Sequence, residues 1–164
     1  MFGLTTLGVF HTAISLIAVV AGFIALARYK EISARSLAGQ VFVVGTIISC
    51  LTGFGIFQHG GFGKPHVLGI VTLVVLGVAL LAEYSGLFGR VSRYVATIAY
   101  STAFFFHFIP GATEILTRLP LGAPLLPNAD APELQAIIGA FFIVFLIGAT
   151  LQVLRLRKVR PAPV

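Results

Sequence analysis

Five apolar stretches of near-bilayer length, divided by short polar pieces, set the limits on what this chain can fold into. They cover residues 4–27, 41–57, 67–82, 94–109 and 134–154. A helix crossing a hydrocarbon core needs about 20 apolar residues, and the backbone of such a segment must satisfy its own hydrogen bonds, as a helix does. The polar pieces are residues 28–40, 58–66, 83–93 and 110–133. The expected fold is all-α, an integral membrane bundle of five transmembrane helices. Composition agrees: 58% of the 164 residues are hydrophobic and 10% are charged, whereas soluble domains are about a quarter charged.

The basic residues define an orientation. Arg28, Lys30, Arg35, Arg90, Arg93, Arg155, Arg157, Lys158 and Arg160 fall on one side, and Lys64 and Arg118 on the other. Cytoplasmic loops carry the excess of Lys and Arg. The expected topology therefore has the N-terminus outside and a basic cytoplasmic tail (155–164), in a bacterial inner membrane. The net charge of +6 is spread between apolar runs, which excludes a nucleic-acid partner and leaves the lipid bilayer as the evident one. No basic residue precedes Arg28, so the first apolar run reads as a retained span rather than a signal peptide. The single cysteine, Cys50, rules out an intrachain disulfide.

The chain resembles itself at an offset of 55 residues. HTAISLIAVVAGFIALARY (11–29) aligns with HVLGIVTLVVLGVALLAEY (66–84), sharing H-x7-V-V-x-G-x3-L-A-x-Y. Repeat 1 spans about residues 4–58 and repeat 2 about 66–112, followed by a proline-rich outer loop (110–133) and a fifth helix (134–154). Both copies run in the same direction, so the expected arrangement is a pseudo-twofold four-helix bundle from a parallel repeat, related by an axis along the membrane normal, with one extra helix at its edge. Prolines 110, 120, 124, 127 and 132 limit helix in the outer loop, which reads as a stiff connector or a short lid.

Positions eleven apart nearly share a helix face, because three turns take about 10.8 residues. His11 thus shares a face with Ser15, Ala18 and Gly22, and His66 with Gly77. Gly45, Ser49 and Gly53 make a similar line on the second span. Small residues mark close approach of membrane helices, so these faces and their histidines should point into the bundle.

Four histidines occupy one layer. Taking the inner boundary near Ala27, Gln40, Ala82 and Tyr94, His11 and His66 lie roughly 24 Å above it, His59 roughly 28 Å and His107 roughly 20 Å, at about 1.5 Å per residue. Imidazole binds haem iron, copper and zinc, and two on facing helices can clamp a haem. His11, His66, His107 and His59 are accordingly the candidate ligands of haem b or a transition metal ion, with His11 and His66 as the symmetric pair. Phe104, Phe105, Phe106 and Phe108 flank His107 as a possible apolar wall. The competing reading makes the histidines interfacial, above all His59 and His66, which bracket QHGGFGKPH. Glu83 is expected to reach water at the inner end, Glu114 and Arg118 to pair along a helix, and Tyr29 and Tyr84 to anchor the interface. No Walker, dinucleotide-binding or H-E-x-x-H motif and no evident nucleophile–base pair occurs.

The segments FHTAISLIAVVAG, SLAGQVFVVGTIISCLTG and SRYVATIAYSTAFFFH, within about the first 115 residues, resemble small bacterial membrane proteins of the b-type cytochrome kind and an uncharacterised predicted-membrane-protein family. The resemblance implies haem held by histidines on facing helices, and electron exchange with quinone or another membrane redox partner. Such cytochromes often carry ligands near both membrane faces. This chain has none near the inner face, which favours a single outer site. The alternative functions are a non-enzymatic accessory or assembly subunit of a membrane complex, or a small-solute transporter.

Overall fold

The computed structural model describes residues 5–57 and 61–158. Among these residues five α-helices run α1 Thr6–Tyr29, α2 Leu37–Gly53, α3 Lys64–Tyr84, α4 Ser92–Arg118 and α5 Pro132–Lys158. Four of them are long and apolar enough to cross a membrane, and α2, with 17 residues, is a shorter apolar helix. The protein is a helical membrane protein. One end of the bundle gathers residues 30–36, the turn before α4 and the basic end of α5; the other holds the first turn of α3 and the connection into α5. These are called below the basic end and the histidine end.

Helix α1 starts where the Thr5 hydroxyl accepts the Gly8 N–H, and stops at Lys30, whose φ of 66° is left-handed. Ser36 caps α2 by accepting the Gly39 N–H, an interaction that competes well with water at a helix start. This cap begins α2 four residues before the apolar run does, and the helix ends four residues before that run is over. Helix α4 departs furthest from expectation. It continues through Pro110 to Arg118, so residues 110–118 extend the fourth helix instead of opening the loop. Proline removes one N–H and crowds the preceding turn; Thr113 and Thr117 bond back to the Ile109 and Thr113 carbonyls in this stretch.

Helices α1 and α2 pack as one antiparallel hairpin and α3 and α4 as another; α2 meets α3, α1 meets α4, and α5 lies on α4. The first four helices therefore close a ring, with the fifth outside it. Alanine dominates the interior: Ala18, Ala21 and Ala25 on α1, Ala79 and Ala82 on α3, and Ala96, Ala99 and Ala103 on α4 are buried. Small side chains bring backbones close, and in lipid that packing supplies much of the association energy. Phe42, Leu76 and Tyr100 fill what remains. Phe104 packs edge-on against Phe23 and Phe108, with ring centroids 5.0 and 5.1 Å away, and Phe105 stacks on Phe145 of α5 at 5.3 Å. The phenylalanines around position 107 thus build helix–helix contacts.

The two glycines aligned at the 55-residue offset have different surroundings. A Cβ on Gly22 would lie 2.5 Å from the Phe104 ring, whereas a Cβ on Gly77 would have nothing within 4 Å. Close approach occurs at the first copy only. The rest of the proline-rich loop packs at the ends of α4 and α5 and reaches α3. Ala131 and Leu126 pack with Ala112, Leu116 and Leu134 between the ends of α4 and α5, the Leu126 N–H donates to the Leu116 carbonyl at 2.8 Å, and Asp130 meets Lys64 at 2.9 Å.

Candidate functional site: a polar stripe on the second helix

Thr46, Ser49 and Thr52 recur every three residues on α2 and form one polar line on an apolar helix. Two of the four histidines attach to it from different helices. From α1, His11 Nδ1 lies 2.9 Å from the Ser49 carbonyl oxygen and 3.1 Å from Thr52 Oγ1. From α4, His107 Nε2 lies 3.0 Å from Thr46 Oγ1. Ser15, one turn after His11, bonds Ser49 through its hydroxyl. Gly53 makes room for the His11 ring, since a Cβ there would lie 3.3 Å from Cε1, and Gly45 makes room for Ala18 at 3.0 Å. The small-residue faces of the first two spans therefore meet one another. Their anchors Thr46 and Ser49 are three residues apart, about 4.5 Å along the axis. His107 thus sits about one turn nearer the basic end than His11.

Hydrogen bonding selects the neutral tautomer of two of these rings. A carbonyl oxygen only accepts, so His11 Nδ1 carries a proton and donates it to Ser49. Thr52 donates its own hydroxyl to the Ile48 carbonyl at 2.8 Å, so its oxygen also receives the His11 proton. In the neutral ring the lone pair is left on Nε2. Histidines that bind metals are commonly held this way, the second nitrogen donating to a backbone carbonyl. His107 is different, because the Thr46 hydroxyl can donate or accept.

His66 is held in the opposite sense. It occupies the first turn of α3, and its Nδ1 accepts the Gly63 N–H at 3.2 Å. An N–H only donates, so the neutral ring carries its proton on Nε2. That atom is buried and has no partner among the described residues, and the residue as a whole is 6% exposed. Phe57 and Phe62 stack on the ring with centroids 5.1 and 5.2 Å away. Neither nitrogen of this ring offers a lone pair. The donor set thus fits a ligand at His11, but not a haem clamped between His11 and His66 with the rings hydrogen-bonded as they are. His59 lies outside the described residues. Among the described residues, no group of three or more His, Cys, Asp or Glu side chains is placed to hold a metal ion.

The densest polar cluster is at the basic end, on a residue expected to face water. Glu83 lies in the last turn of α3, and its side chain is 9% exposed. Its carboxylate accepts the Ser33 hydroxyl, the Ala34 N–H at 3.1 Å and the Tyr100 hydroxyl at 2.6 Å. Arg35 adds Nε at 3.7 Å from the carboxylate and a guanidinium N–H to the Glu83 carbonyl at 3.0 Å. Glu31 reaches the other way, meeting Arg93 at 3.2 Å. Gln152 of α5 donates to the Lys30 carbonyl at 3.0 Å and Arg155 to the Tyr29 carbonyl at 2.6 Å. Residues 29–35 are therefore tied to α3, α4 and α5. Tyr29 and Tyr84 are exposed here, beneath Arg28 and Arg35. Glu114 and Arg118 pair at 2.7 Å at the other end of α4.

Sequence reasoning passed over Thr46, Thr52 and Tyr100. Hydroxyls at three-residue spacing on α2 were the signal available for the first two. Tyr100 offered none, because its partner Glu83 lies on another helix. Comparison with protein-family models, with curated proteins and with solved structures finds no match.

Proposed function

We propose that this protein carries one redox cofactor, haem b or a transition metal ion, at its histidine end, with His11 as the anchoring ligand and His107 as the second. The observation that carries this reading is the Nδ1–H of His11 donated to the Ser49 carbonyl at 2.9 Å, which orients the ring and leaves Nε2 as a lone pair. A bound haem or copper ion would supply reversible one-electron chemistry. The chain would orient the ligand rings through Thr46, Ser49 and Thr52 and keep water away with Phe42, which lies 6.0 Å from the His107 ring. We place the protein in a bacterial inner membrane with the basic end in the cytoplasm, on the distribution of Lys and Arg. Electrons would pass to or from a membrane redox partner. An absorption spectrum and metal analysis of protein purified in mild detergent test this. A Soret band or a stoichiometric metal, lost in His11→Ala and His107→Ala but kept in His59→Ala, is the expected result. A colourless, metal-free preparation after growth with haem precursor and metal supplement would remove the reading.

An accessory-subunit role has one observation in its favour. None of the most apolar part of α5 is buried inside the protein. Phe142, Ile143, Val144, Ile147 and Leu151 are all exposed, a face suited to helix contacts with a larger complex. Co-purification of fixed partners lost on replacing Ile143 and Ile147 by serine would favour it. The transporter reading gains no support, because Tyr100, Phe42, Leu76 and Thr46 fill the bundle interior.

A further inference from the structure

We infer that His66 is a hydrogen-bond donor to a membrane-soluble carbonyl compound of quinone type, at a place separate from the His11–His107 stripe. Three observations converge. The Gly63 N–H holds Nδ1, so Nε2 presents an N–H. That N–H is buried without a partner among the described residues, and an unmet buried donor costs about 1–3 kcal/mol. The rings on either side, Phe57 and Phe62, are 57% and 66% exposed, which gives a flat conjugated ligand two aromatic faces to lie against. The first turn of α3 adds a positive helix end that favours an acceptor oxygen. A metal ion finds no lone pair here, and an anion would have to give up its hydration among phenylalanines. A neutral carbonyl suffers neither penalty. The Nε2 atom has no exposed surface, so the ligand enters by parting the two phenylalanine rings.

This inference rests on the membrane character of the protein and not on the cofactor proposed above. The test uses the full chain, labelled with 15N at histidine, in nanodiscs of ether-linked phospholipid, which has no ester carbonyl. The probe is decylubiquinone, with decylbenzene as a control lacking the acceptor. The His66 Nε2–H resonance should move downfield, saturably, with decylubiquinone and stay still with decylbenzene. His66→Leu should weaken binding at least tenfold, which is about 1.4 kcal/mol, and His66→Gln, which restores an N–H donor, should recover most of it. If His66→Leu does not fold, the wild-type titration decides. A resonance that never moves overturns the inference. So does unchanged affinity in a folded His66→Leu. A full shift produced by ester-linked lipid alone also overturns it, by assigning the donor to the bilayer. A colourless protein that still shows the shift removes the cofactor proposal and leaves this one standing.

Discussion

Replacing Gly22 and Gly77 by alanine, one at a time, makes the same chemical change at two positions that align at an offset of 55 residues. At Gly22 the new Cβ falls 2.5 and 2.6 Å from two Phe104 ring carbons and 3.3 Å from the Phe42 ring, where ordinary contact begins at 3.4 Å. The overlap approaches an ångström. Phe104 cannot yield freely, because Phe23 and Phe108 hold it edge-on at 5.0 and 5.1 Å. Overpacking of this kind costs about 1–3 kcal/mol. At Gly77 the Cβ enters open space. Both substitutions gain about 1 kcal/mol of helix propensity, and that gain cancels in the comparison. Gly77→Ala should therefore be the more stable by about 1–3 kcal/mol, or about tenfold in the folded-to-unfolded ratio per 1.4 kcal/mol. The single cysteine provides the assay. Cys50 is half-buried on α2, so a thiol-reactive fluorogenic dye reports its release in a thermal or SDS titration. Coincident curves, or Gly77→Ala melting first, would refute the packing argument.

Removing the Glu83 carboxylate with Glu83→Ala strands the Tyr100 hydroxyl and the Ala34 N–H. It should lower stability by about 1–3 kcal/mol, and Glu83→Gln should recover part of that; a Glu83→Ala melt matching wild type would contradict the clustered geometry. In Gly39→Ala the Cβ would sit 1.9 Å from the Ser33 carbonyl oxygen. Ser36 would then lose its capping position, and the same dye assay should show a larger loss than Gly22→Ala gives; a smaller loss would speak against the tight turn. A reporter fused after Arg160 should read cytoplasmic and one inserted at Asn128 external, from the distribution of Lys and Arg. A periplasmic signal from the C-terminal fusion would defeat the five-span orientation.

The apolar runs made the five helices legible, and four of them are long and apolar enough to cross a membrane. Their ends were less so. Hydropathy registers solvent preference, whereas the Ser36 hydroxyl on the Gly39 N–H decides where α2 begins. Pro110 looked like a stop, yet α4 runs on to Arg118. The faces of α1 and α2 were legible from spacing alone: Ala18 meets Gly45, Ser15 meets Ser49, and His11 meets Gly53. The chemistry of the histidines was not. His11 and His66 align residue for residue, but one ring donates from Nδ1 to a carbonyl 38 positions away and the other accepts at Nδ1 from an N–H three positions away. Those partners are backbone atoms, which no side-chain pattern reveals. Glu83 gave no sign of burial either, because Ser33 and Ala34 reach it from fifty and forty-nine residues earlier.

That last separation bears on how the molecule is assembled. The chain is made from its N-terminus, so α1, α2 and the turn joining them exist before Glu83, Tyr100, Arg93 and Gln152 have been synthesised. The turn must wait in water, with the Ser33 hydroxyl and Ala34 N–H solvated, until two or three more helices have entered the bilayer. Its capture fastens the early hairpin to the late helices at the basic end, beside the packing of α2 on α3 and α1 on α4. Arg155, which donates to the Tyr29 carbonyl, lies near the end of α5, so this fastening arrives after the other four helices have been made. A chain cut short before α5 would keep the Glu83 cluster but lack the ties from Gln152 and Arg155, leaving the turn held on two sides instead of three.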